Sequence, residues 1–278
     1  MKKRGQVTLF IILGLVIIAV FGILVYYRNA SLEQLDVIKE RKSSIQEEAI
    51  TNYVESCLKT VSDEAVWRIG YFGGYTGYDE NYVYYEEFNG DVFHGYMVPY
   101  YLDSYRSVFP SLEEIKSNLF DFIVLRLDSC LNFNEFEEIG YTIEKPDSEE
   151  ILNKIRINLE SVDVKIVYPL TIKKDDSVVK IENFRVEVPL RFGVLYKSAV
   201  TLVNSIKNFP LGYHIEEGCD TYNKNGLTAV YLKNDDLNDP NSKIVQFIDY
   251  STYHAYDTAS YRLQFSVKNV AVSGECVL

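Results

Sequence analysis

From Gly5 to Tyr27 the chain contains no charged residue, and from Val7 onward it is almost wholly Leu, Ile, Val, Phe and Ala. A helix rises ~1.5 Å per residue, so a run of this length crosses a hydrocarbon layer ~30 Å thick. Lys2, Lys3 and Arg4 stand immediately before it, whereas Arg28 alone follows before an acidic stretch begins. That asymmetry predicts an amino terminus inside the cell and the rest of the chain outside. The run exceeds the ~7 to 15 residue core of a cleaved secretory signal and ends in Leu24-Val25-Tyr26-Tyr27 rather than a small-residue site. Residues 1–28 therefore read as a cytoplasmic basic tip and a transmembrane signal anchor, which places the protein in the cell membrane as a single-pass chain.

Charge narrows the partners of the remainder. The chain has 28 basic and 40 acidic side chains, and four of the basic ones flank the anchor, leaving 24 against 40, a net of −16. Nucleic acid and anionic headgroups meet such a surface with like-charge repulsion, so nucleic acid is excluded as a partner. Four cysteines, Cys57, Cys130, Cys219 and Cys276, all follow the anchor, on the side where thiols oxidise.

Along residues 29–138 the pattern is helical. From Ser31 to about Ile69 there is no Gly or Pro, and Ile50, Val54, Cys57, Val61 and Ala65 recur three or four apart, predicting a long amphipathic helix that Gly70 ends, with a polar stalk as its first part. Pro110-Ser111-Leu112-Glu113-Glu114 is a capping box opening a second helix with Leu119, Ile123, Leu127 and Cys130 on one face. Cys57 and Cys130 thus sit on apolar stripes that should face each other. Two free core thiols would also suit such stripes, but on an oxidising side a Cys57–Cys130 bridge is the favoured pairing, leaving Cys219 with Cys276.

Between these helices, residues 71–105 hold ten of the 23 tyrosines, six acidic side chains and no Lys or Arg. Gly73-Gly74, Gly77 and Asn89-Gly90 are turn signals, predicting a long loop with a short hairpin. Tyrosine joins a flat apolar face to a hydroxyl, which suits sugars and protein surfaces. Tyr75, Tyr78, Tyr82, Tyr84, Tyr85, Tyr96, Tyr100 and Tyr101 are accordingly the candidate binding residues.

Residues 139–278 change to a period of two. Ile155, Ile157 and Leu159, then Val162 to Tyr168, then Phe184 to Leu190 alternate with polar residues around a turn at Lys173-Lys174-Asp175-Asp176, and later strands carry Leu227 to Tyr231 and Tyr261 to Val267. A helix with Phe192, Leu195, Ala199, Leu202 and Ile206 should cover the sheet. The fold class is α+β, with an antiparallel sheet and no parallel β-α-β pattern.

Catalytic signatures are sparse. His94, His214 and His254 are far apart in sequence, so neither a metal site nor a cofactor is expected, and no nucleophile elbow or phosphate-binding loop occurs. Ser56-Cys57-Leu58-Lys59 matches S-x-x-K, and Lys224-Asn225-Gly226 faintly echoes K-T-G, but Cys57 serves better as core. Asp235, Asp236, Asn238, Asp239 and Asn241 gather oxygen ligands without the Gly and Glu of an EF-hand, which reads as a solvated loop.

Arg4-Gly5-Gln6-Val7-Thr8-Leu9 resembles the class III signal of archaeal type IV pilin-like proteins, which implies processing between Gly5 and Gln6. The glutamate usual at the fifth mature position is Phe10 here, a departure that bears on filament assembly. The wider layout is similar to uncharacterised membrane-anchored proteins of small-genome DPANN archaea, in the K-x-G-Q-x-T start, the E-S-C-L helix, the Gly-Gly-Tyr loop, the P-S-L-E-E helix and the strand pair near Val188-Pro189-Leu190. The resemblance implies location and fold, not an activity. The expectation is an extracytoplasmic surface protein acting in adhesion, envelope assembly or binding, with a protein or glycan partner. A hydrolase of dispersed carboxylates and a minor pilin-like subunit are the competing readings.

Overall fold

The computed structural model describes residues 47–77, 82–89, 92–147, 150–220, 229–233, 241–254 and 257–277. The anchor, the Gly5-Gln6 site, the stalk up to residue 46, Tyr78 and the oxygen-rich loop from Asp235 to Asp239 lie outside them. Among the described residues no helix is long and apolar enough to cross a membrane. The chain divides into two compact units, Met1–Tyr53 and Val54–Leu278. The described residues of the first, 47–53, are helical. The boundary expected near residue 138 falls inside the second.

Helix α1, described over residues 47–71, buries Val54, Cys57, Val61 and Ala65, the stripe that its spacing marked out. It is followed by β1 (Tyr82–Asn89), β2 (Val92–Asp103), β3 (Arg106–Ser107), α2 (Leu112–Cys130) and α3 (Asn134–Glu138). Then come β4 (Thr142–Glu144), β5 (Leu152–Ile157), β6 (Val162–Lys174), β7 (Ser177–Val188) and α4 (Phe192–Asn208). The chain ends with β8 (Tyr213–His214), β9 (Ala229–Lys233), β10 (Ser242–His254), β11 (Asp257–Lys268), β12 (Val272–Ser273) and β13 (Cys276–Val277).

Two sheets dominate. The larger runs β1-β2-β11-β10-β9-β13, with β3 on β2. Its pairs are antiparallel except β2 with β11, which run parallel from Tyr100↔Ser266 to Asp103↔Lys268. The smaller sheet centres on β6, with β7 along one edge and β5 and β4 sharing the other, all antiparallel. β8 and β12 form a separate parallel pair. Helix α4 lies on β10 and β11, and α2 meets β5. The α4 stripe, Phe192, Leu195, Ala199, Leu202 and Ile206, is wholly buried.

Alternation placed the strands well, with local exceptions. Leu159, expected at the end of a strand, stands 52% exposed in the turn after β5 and rims an open hollow with Leu112, Ile157 and Val200. The segment 71–105, expected to be mainly loop, is mainly a ribbon, β1 pairing with β2 from Tyr82↔Pro99 to Asn89↔Val92. Its aromatic and branched residues fit a pleated surface, and Asn89, the first residue of the Asn-Gly turn signal, ends β1.

Helix α1 does not stop at Gly70 but continues to residue 71 and turns through Gly73 (φ 55°) and Gly74 (φ 91°). Gly70 is required by proximity instead: a Cβ there would stand 2.3 Å from the carbonyl oxygen of Arg262 on β11. At Gly73 the same atom would meet the Gln264 carbonyl oxygen at 2.8 Å. The helix end is therefore laid against the β11 backbone. The Tyr261 hydroxyl donates to the Val66 carbonyl (2.8 Å), and the Gln264 amide donates to that of Tyr71 (2.8 Å).

Cys57 of α1 is bonded to Cys130 at the end of α2, with Cα atoms 5.9 Å apart, within the range such bonds need. Leu119, Ile123 and Leu127 of α2 are fully buried, and the Ser111–Glu114 capping box is formed from both sides. Cys219 is also disulfide-bonded. The Cys276 side chain, its expected partner, lies outside the described residues.

Candidate binding surfaces

The tyrosines of 71–105 separate into different environments. Tyr101 is fully buried, stacks on Phe265 with ring centres 4.4 Å apart, and donates its hydroxyl to the Gly73 carbonyl (3.1 Å). It is core and ties the turn after α1 to the sheet. Burial, reinforced by Tyr196 and Tyr75, holds its hydroxyl pKa well above the ordinary value. Tyr100 is half-buried, its hydroxyl 3.1 Å from that of Ser242 and its ring 5.5 Å from the Lys268 ammonium. Tyr75 is half-buried as well.

Tyr82 and Tyr84 alternate with the buried Val83 and so share the other face of β1, Tyr82 being 37% exposed. Tyr85 and Tyr96 are directly paired in backbone register, their side chains lying outside the described residues. Val83 and Val98 pack with Ile244 and fasten the base of the ribbon to the larger sheet. Beyond that base, residues 92–99 of β2 pair with β1 and with no other strand among the described residues. A two-stranded ribbon is marginal on its own in water, so its tyrosines gain from any further surface against them.

The S-x-x-K match is not a site. Ser56 is exposed on α1, Lys59 pairs with Asp63, and Cys57 is consumed in the disulfide. No group of three metal-ligating side chains occurs among the described residues. Among the described residues one carboxylate is deeply buried: Asp249 on β10 accepts from the Ser251 amide (2.9 Å) and lies 3.3 Å from Arg191, whose other face meets Glu160 at 2.9 Å. With an arginine and a backbone amide both turned on it, Asp249 fastens the start of α4 to the sheet.

A second surface escaped the sequence reading. On the solvent face of the smaller sheet, Lys154, Lys165 and Arg185 are direct cross-strand neighbours on β5, β6 and β7. Arg156 stands two residues along β5, opposite Asp163, which accepts from Arg185 at 3.0 Å. These side chains and Glu55 line a shallow hollow of ≈ 390 Å³. Alternation alone marks Lys154 and Arg156 as a wet face; only the strand register shows that three cations share a row.

Compared with known proteins, the chain matches no family model, no curated protein and no solved structure.

Proposed function

We propose that this chain is a single-pass membrane-anchored protein whose body lies outside the membrane and acts by binding, in adhesion or envelope assembly. The observation that carries the location is the Cys57–Cys130 bond, with Cys219 also bridged. Such bonds persist where the compartment is oxidising, and the basic tip before the apolar run orients the chain the same way.

The tyrosine ribbon is the binding surface on this reading. It offers Tyr82 and Tyr84 on one face of a marginal two-stranded element, while Tyr100 and Tyr101 secure its base. The partner is a protein or glycan of the cell surface. Full-length protein in neutral-lipid nanodiscs should be retained on washed cell-envelope fragments, and the pair Tyr82→Ser and Tyr84→Ser should reduce retention several-fold without lowering the melting temperature. Retention equal to that of the unaltered chain would remove the ribbon from the binding role.

A further inference from the structure

The outer face of the smaller sheet carries a charge pattern that works against its own stability. Lys154, Lys165 and Arg185 face one another directly across three strands, at a strand spacing of ~4.8 Å. Like charges in directly opposed positions destabilise a sheet. Asp163 and, more weakly, Glu187 opposite it offset Arg185, but among the described residues no ion pair engages Lys154, Arg156 or Lys165. The hollow thus sets four cations against Asp163 and Glu55, on a chain whose net charge is −12. A concave, locally positive site on an acidic body attracts small anionic groups at short range while the body repels long polyanions.

We propose that this face binds an acidic glycan through carboxylates laid along the Lys154–Lys165–Arg185 row. An acidic strand of protein meets the same cations, with like-facing residues at ~6.6 Å, but brings few hydroxyls to the amide that stands beside them. Asn183, beside Arg185 on β7 and lining the same hollow, supplies an amide for sugar hydroxyls. The site is on a different sheet from the tyrosine ribbon and stands without it.

The test uses the full-length protein in neutral-lipid nanodiscs with tetragalacturonate as probe, followed by calorimetry and thermal melts. Binding should be saturable, weaken steeply with added salt, and exceed that of monogalacturonate. Lys165→Glu should lower affinity about tenfold or more, the loss of one charge-assisted contact, while raising the melting temperature, because it places a carboxylate between Lys154 and Arg185. A purely structural lysine would not show that opposition of effects. Lys197→Glu, exposed on α4, should leave binding unchanged. Lys165→Gln should show the same loss if the charge reversal fails to fold. The proposal is overturned by absent binding, by undiminished binding in Lys165→Gln, by equal affinity for the monomer, by tighter binding of oligoglutamate, or by a lower melting temperature in a folded Lys165→Glu.

Discussion

Single atoms decide how α1 meets the sheet. Gly70→Ala would drive a methyl group into the Arg262 carbonyl, 2.3 Å away, and should destabilise by roughly 1–3 kcal/mol as an overpacked contact does, read from chemical denaturation. Tyr101→Phe keeps the stacked ring but leaves the Gly73 carbonyl without its hydroxyl donor, a loss of about 1 kcal/mol. The buried tyrosines also set an alkaline limit. Burial, with a smaller contribution from Asp128, pushes Tyr168 up to about 12, and burial likewise holds Tyr101 and Tyr261 well above the ordinary phenol value. A phenol whose folded pKa is raised supports the fold fully below its unfolded value of ~10, and that support is lost as pH rises through the folded value. Melting temperature should therefore fall steadily from about pH 10 to 12, with the share of tyrosinate absorbance that belongs to these buried phenols appearing only as the protein unfolds. Early tyrosinate absorbance from every tyrosine in the folded state would contradict the burial described.

Among the elements, α2 was the most legible, since its capping box, stripe and cysteine are all local signals and all are realised. Ser111→Ala should destabilise by about 1 kcal/mol. Glu114, whose carboxyl pKa is held below the usual range by the Ser111 amide and hydroxyl, supports the fold above its unfolded pKa of ~4.3 and loses that effect as pH falls through the folded value. The stability difference between wild type and Glu114→Gln should accordingly vanish in acid, which melts across that range would show. The strands of residues 152–188 and helix α4 were legible for the same reason: one face wet and one dry leaves a periodic trace. Three features were not. The parallel contact of β2 with β11 joins positions such as Tyr100 and Ser266, far apart in sequence, and no local period records it. Gly70 looked like a helix stop because its role is proximity to another strand. The row Lys154–Lys165–Arg185 exists only once β5, β6 and β7 are set in register, so composition spread it over three unrelated stretches. The tyrosines were singled out by abundance, but abundance does not separate Tyr101 in the core from Tyr82 on the surface.

At the scale of the molecule, the Cys57–Cys130 bond connects fold to compartment. It closes a loop across 73 positions, which in the chain-entropy account stabilises by ~4 kcal/mol, a large share of a typical ~5 to 15 kcal/mol. Reduction, or Cys57→Ala with Cys130→Ala, should lower the denaturation midpoint accordingly and loosen α1 and α2 first, visible as earlier amide exchange in those helices than in β10 and β11. The same bond gives the most direct test of an outward-facing, disulfide-held binding body. Intact cells making the chain are treated with a thiol-blocking reagent before lysis, and the protein is then mapped by non-reducing peptide mass spectrometry. A Cys57-containing peptide joined to a Cys130-containing one, with neither thiol blocked, is the predicted result; blocked, unjoined Cys57 and Cys130 in the folded protein would contradict the outward placement on which the proposed function stands.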